Sequence, residues 1–143
     1  SLAFRAGADW VSVLGVAADA TVRGVVEAAS VTGGHVMVDL IGCPDIPGRA
    51  AELLRLGADV LCVHTAFDRQ QEGSDPLEEL SQLLEVTPAE RAAVAGGIKP
   101  ETLPAVREFA PRVVVVGGFL AHHHQPREAA AEIRELLMGE QVP

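Results

Sequence analysis

Five short runs of apolar, largely β-branched residues punctuate the chain: Trp10-Val11-Ser12-Val13-Leu14, Val36-Met37-Val38-Asp39-Leu40, Val60-Leu61-Cys62-Val63, Ala92-Ala93-Val94-Ala95 and Val113-Val114-Val115-Val116. Their near-continuous apolarity, in place of alternation, predicts strands buried on both faces. Between them apolar residues recur at helical spacing: Val22, Val25, Val26 and Ala29; Ala50, Leu53, Leu54 and Leu56; Leu77, Leu80, Leu83 and Leu84; Leu103, Val106 and Phe109; Ala130, Ile133, Leu136 and Leu137. Each set predicts one helix with an apolar stripe. Asp75-Pro76, Lys99-Pro100-Glu101 and Gln125-Pro126 place proline at helix starts, where a missing N–H costs little. The order is βα, five times over.

A weak internal repeat supports that order. Gly7-Ala8-Asp9 precedes the first run and Gly57-Ala58-Asp59 the third, 50 residues later, as expected if a glycine closes a helix before a turn and a buried strand. Strand starts at 10, 36, 60, 92 and 113 leave room for a helix and a return each time, so the strands should be parallel with right-handed crossovers. Two architectures hold five such units: an open doubly wound sheet and an arc of an eight-stranded barrel. Glycine pairs favour the second. Gly96-Gly97 follows the fourth run and Gly117-Gly118 the fifth, and in (β/α)8 barrels the loops after the last strands often bind phosphate through backbone N–H groups. A tight turn is the competing reading of either pair.

Composition narrows the function classes. The chain has 143 residues, with 11 Lys+Arg against 20 Asp+Glu for a formal charge of −9. One domain over residues 1–143 is the expected organisation. The acidic balance argues against a nucleic-acid partner, whose phosphates need basic residues. Apolar stretches of only about five residues fall far short of the roughly 18 that suggest a membrane span. Cys43 and Cys62 are too few for a disulfide framework; buried, reduced thiols in a cytoplasmic protein are expected.

The segments Gly7–Gly15, Val36–Leu40, Val63-His64-Thr65-Ala66-Phe67-Asp68-Arg69-Gln70, Ala93–Ile98 and Val114–Gly118 together resemble the 3-hexulose-6-phosphate synthases, a family within the orotidine 5′-phosphate decarboxylase superfamily of (β/α)8 barrels. His-Thr-x-x-Asp-x-Gln after a strand is the most specific of these motifs. The resemblance implies that the chain corresponds to strands four to eight, a partial (β/α)8 TIM barrel with parallel strands in sequential order. Three further units would carry an Asp, a Glu and the motif Asp-x-Lys-x-x-Asp, and that motif occurs nowhere here. The chain is then either a fragment of a longer enzyme or a degenerate protein without the chemistry.

What the family implies is aldol chemistry: formaldehyde added to the enediolate of D-ribulose 5-phosphate, with Mg2+ whose ligands are not in this chain, in a homodimer. On that pattern His64 is the candidate for proton transfer; a structural histidine bound to a loop carbonyl is the alternative. Asp39, unusual within an apolar run, should face the barrel mouth and meet the catalytic lysine of the missing units, unless it only forms a turn. Asp68 and Gln70 should brace the loop or touch substrate. Gly96, Gly97, Gly117 and Gly118 should cradle phosphate, helped by the start of the final helix. Related 3-keto-L-gulonate 6-phosphate decarboxylases typically have Arg, Thr and Arg where this chain has Phe67, Ala95 and Gly118, which favours the synthase; an orotidine 5′-phosphate decarboxylase-like enzyme fits less well. A non-catalytic phosphate- or partner-binding module is the reading from another class. His122-His123-His124 should be a solvated loop at the barrel mouth, since adjacent residues rarely converge on one metal ion.

Overall fold

The computed structural model describes residues 2–65 and 75–139. Its strands are β1 (Trp10–Leu14), β2 (His35–Asp39), β3 (Val60–His64), β4 (Ala92–Ala95) and β5 (Val113–Val115). They form one parallel sheet in the order β1-β2-β3-β4-β5. The helices are α1 (Leu2–Arg5), α2 (Asp19–Thr32), α3 (Ile46–Leu56), α4 (Pro76–Leu84), α5 (Leu103–Phe109), α6 (Gly118–Ala121) and α7 (Pro126–Met138), with a 3-10 turn at Ala89–Arg91.

Register decides which side chains face the helices. Val11, Val13, Val36, Val38, Leu61, Val63, Ala92, Val94 and Val114 join one apolar cluster with Val22, Leu53, Leu80, Leu83 and Val106 of the helices. The alternate positions Met37, Val60, Cys62, Ala93, Ala95 and Val113 form a second cluster on the other face, without helical residues. Sequential order with the helices on one face is an arc of a barrel; a doubly wound sheet puts helices on both. Leu53, Leu80 and Leu83 are fully buried, so truncating any of them to Ala should cost about 2–5 kcal/mol.

Burial on both faces holds for β3 and β4 but fails for the edge strands. β1 alternates, with Trp10 40% and Leu14 49% exposed, and Val115 of β5 is 38% exposed. Their concave faces lack a facing strand layer. At the amino-terminal rim Trp10 lies against His35, ring centroids 4.7 Å apart, and the Arg112 guanidinium sits 5.7 Å from the indole centroid. Those contacts form the floor of the arc.

Most helix starts follow the expected chemistry. Asp45 Oδ1 accepts from Gly48 N at 3.0 Å, and Asp75 Oδ1 from Leu77 N at 2.9 Å. Gly57 closes α3 at φ 99, which accounts for its place in the repeat. One start is displaced: α5 begins at Leu103, not at Pro100. The Thr102 hydroxyl accepts from Lys99 N at 3.1 Å and donates to Lys99 O at 3.0 Å; that side-chain turn competes with the first helical turn. Among the described residues no helix is long and apolar enough to cross a membrane.

Candidate active site

Parallel pairing brings the carboxyl ends of all five strands to one rim. Asp39 ends β2 and His64 ends β3, and both belong to the concave face. Their side chains meet, with Asp39 Oδ2 2.9 Å from His64 Nδ1. Asp39 Oδ1 accepts from Ile41 N at 2.9 Å, so the turn geometry and the partnership with histidine coexist in one carboxylate. An ionised carboxylate only accepts, which places the proton on Nδ1 and leaves Nε2 of the neutral ring with its lone pair. The histidine is therefore oriented by a carboxylate and not by a loop carbonyl. It stays partly open, at 36% side-chain exposure against 22% for Asp39.

Behind His64 on the same face lies Cys62. Burial, with the Asp39 charge adding to it, pushes its thiol up to about 12. The Cys43 thiol is raised too, chiefly by burial. Both cysteines are buried and free, so near neutral pH they are protonated walls and not nucleophiles.

The glycine pairs stand across the cleft. Gly96 (φ 91) and Gly97 (φ 65) have positive φ, and a Cβ on Gly96 would lie 2.2 Å from Thr65 O. Packing against the end of β3 thus demands glycine at 96 whatever the ligand. Gly117 and Gly118 have open space, with nothing within 4 Å of a Cβ on Gly117. Among the described residues none of the four glycine N–H groups donates to a protein acceptor, which leaves them available to an anion.

Asp39, His64, Gly96, Gly97, Gly117 and Gly118 all line a single cleft of about 690 Å³. Asp68 and Gln70, like Phe67, lie outside the described residues. The start of the final helix does not contribute: α6 intervenes, and no residue of α7 lines the cleft. The histidine run divides. His122 lines the cleft with Nδ1 2.9 Å from Gly118 O, while His123 and His124 stack on one another at 5.2 Å.

Lys99 lines the cleft as well, and sequence reasoning passed over it except as part of a helix start. Its signal was in plain view: it is the only lysine in the chain, two residues after a glycine pair. Among the described residues it is the one Lys or Arg side chain that lines the cleft. A larger groove of about 810 Å³, lined by Arg107, Glu132, Arg134 and Glu135, touches no strand end; the chemistry stays with the smaller cleft.

A magnesium site does not fit the described residues. Among the described residues no three His, Cys, Asp or Glu side chains come together, and both Asp39 oxygens are engaged. Among the described residues the side-chain partner of Asp39 is His64.

Residues 1–133 match the family described as orotidine 5′-phosphate decarboxylase / HUMPS. The chain is 45% identical over 139 residues to 3-hexulose-6-phosphate synthase 3 of Staphylococcus saprophyticus, covering 97% of itself and 66% of that protein. The crystal structure of 3-hexulose-6-phosphate synthase from Salmonella typhimurium superposes with a TM-score of 0.89 at 40% identity, over 96% of this chain and 65% of that one. A 3-keto-L-gulonate-6-phosphate decarboxylase structure from Vibrio cholerae shares the fold, with a TM-score of 0.77 at 24% identity over 95% of this chain and 64% of that one. The chain thus spans just under two thirds of the length of these relatives.

Proposed function

The chain belongs to the orotidine 5′-phosphate decarboxylase / HUMPS family, and from that premise we propose that it supplies the sugar-phosphate half of a 3-hexulose-6-phosphate synthase site. The observation that carries the reading is the shared cleft: an Asp39–His64 pair on one wall and two glycine turns with Lys99 on the other. The 45% identity to a synthase supports the choice of reaction. Related decarboxylation is disfavoured, because Phe67, Ala95 and Gly118 stand where those enzymes typically carry Arg, Thr and Arg.

In this reading the phosphate of D-ribulose 5-phosphate rests on the N–H groups of Gly96, Gly97, Gly117 and Gly118, with the Lys99 ammonium as its counter-charge. The sugar then extends toward β2 and β3. His64 Nε2 takes a proton from the carbon beside the ketose carbonyl, or returns one to the alkoxide formed when that carbon bonds to formaldehyde. Asp39 holds the ring in the tautomer that makes either transfer possible and stabilises the imidazolium in between. The reaction is an aldehyde-lyase reaction in the condensing direction.

Titration with D-ribulose 5-phosphate, followed in 1H–15N spectra, tests the reading. The four glycine amides and the His64 ring should shift saturably, and D-ribulose lacking phosphate should shift them far less. Absence of any saturable change at millimolar sugar phosphate would refute it. The missing Asp-x-Lys-x-x-Asp motif favours a second reading, a non-catalytic sugar-phosphate module. Formaldehyde consumption separates the two: this chain should show little turnover by itself, and a polypeptide supplying that motif should restore turnover that His64→Gln abolishes.

A further inference from the structure

We infer that Arg49 is a positioning residue for the Asp39–His64 pair, acting from α3 by clamping the loop that follows β1. This rests on reading that pair as the reactive centre. Arg49 stands outside the cleft, in the first turns of α3, with its side chain 19% exposed. Its guanidinium makes four bonds at once: Nε donates to Gly15 O at 2.8 Å, Nη2 to Ala17 O at 3.1 Å, and Nη1 to Asp19 Oδ1 at 2.7 Å and Glu52 Oε2 at 2.8 Å. The carboxylates of Glu52 and Asp19 also raise its pKa above the ordinary arginine value.

The two carbonyl bonds matter most. Beyond Leu14 the chain leaves the β1–β2 ladder, and Arg49 takes its Gly15 and Ala17 carbonyls with a planar fork. Gly15, so held, donates its N–H to Asp39 O at 2.7 Å. The approach is close: a Cβ on Gly15 would stand 3.2 Å from that oxygen and 3.0 Å from Cys43 Sγ. On the other side Leu40 N donates to Cys62 O at 2.8 Å, so the backbone at the end of β2 is gripped between the ends of β1 and β3. Only the grip from β1 depends on a side chain. From that backbone the carboxylate reaches Ile41 N and His64 Nδ1, and a turn free to drift would lengthen both bonds.

Arg91 provides a built-in comparison. At the opposite rim its Nε donates to Asp59 O at 3.1 Å and its Nη2 to Ala58 O, the same two-carbonyl clamp far from His64. Loss of either arginine removes a like number of backbone bonds, but only Arg49 is connected to the pair.

The experiment compares Arg49→Met, Arg49→Lys and Arg91→Met with the parent chain, by amide exchange and by the His64 imidazole N–H resonance. In Arg49→Met, exchange at Gly15 and Ile41 should accelerate at least tenfold relative to Val63, and the His64 N–H signal should broaden or vanish. Arg49→Lys keeps the charge without the fork and should show the same defect in milder form. Arg91→Met should leave Gly15, Ile41 and the His64 signal as in the parent. An unchanged His64 signal with parent-like exchange in Arg49→Met overturns the inference. So does acceleration spread evenly over all amides, or an equal defect in Arg91→Met. None of these readouts needs turnover, so the clamp can fail while the sugar-phosphate reading stands, and the reverse.

Discussion

Replacing Gly96 by alanine separates packing from ligand binding at the first glycine turn. Two penalties follow from the geometry. A side chain at φ 91 is strained by about 1–2 kcal/mol. The new methyl would also stand 2.2 Å from Thr65 O and 3.0 Å from Thr65 N; these are backbone atoms at the end of β3, which cannot rotate away. Forcing them apart should add about 1–3 kcal/mol, for a total near 2–5 kcal/mol. At this chain length each kcal/mol moves Tm by about 2–4 °C. Thermal unfolding followed by circular dichroism should therefore show a fall of roughly 4–20 °C. Gly24→Ala is the internal control: Gly24 lies within α2 with nothing within 4 Å of a Cβ, and gains about 1 kcal/mol of helix propensity. A Gly96→Ala chain that melts with the parent yet no longer binds sugar phosphate would refute the packing account and leave the glycine a purely ligand-facing role.

Three further outcomes follow. The Cys62 thiol, raised from 9.0 to about 12 in the native state, keeps a proton that the unfolded chain gives up; its contribution to stability is complete below about pH 9 and is lost as pH rises toward 12. Denaturant midpoints should fall over that window, and fall less in Cys62→Ala. Lys99→Met should weaken D-ribulose 5-phosphate binding at least tenfold, the loss of one charge-assisted contact of about 1.5–3 kcal/mol, while calorimetry with Lys99→Arg recovers most of it. The edges β1 and β5, with Trp10, Leu14 and Val115 between 38% and 49% exposed, should promote self-association of this chain; sedimentation velocity showing one monomeric species across the micromolar range would contradict that.

Strand positions were legible because β3 and β4 are apolar on both faces, and no other element class needs such short unbroken runs. Parallel sequential order was legible as one of two possibilities, and the glycine pairs tipped the balance toward the barrel arc. The edges misled, because a run such as Trp10–Leu14 carries the same apolar pattern whether or not something covers its concave side. α1 and α6 escaped notice: four-residue helices have no periodicity to detect. The Asp39–His64 contact joins residues 25 apart and needs the β2–β3 register, Met37 beside Val60 and Asp39 beside Cys62, which no local pattern encodes. Lys99 was masked by its neighbour Pro100, which suggested a helix start that the Thr102 hydroxyl displaces.

The cleft itself is a consequence of side-chain size on the concave face. On the outer face β2 to β4 present Val36, Val38, Leu61, Val63 and Val94, and fill the space beneath the helices completely. On the inner face, toward the carboxyl rim, the central strands present Cys62, Ala93 and Ala95. Small residues there leave an open volume where a packed barrel layer would otherwise stand. Among the described residues, polar groups enter that volume from strand ends and the loops beyond them, Asp39, His64, Thr65, the two glycine pairs and Lys99, and from His122 after α6. The apolar walls lower the local dielectric and strengthen the Asp39–His64 bond, while Lys99 sits exposed at the rim. On the proposed reading, an acidic chain would hold a doubly charged phosphate there because backbone N–H groups bind it without adding net charge, with Lys99 supplying the counter-charge.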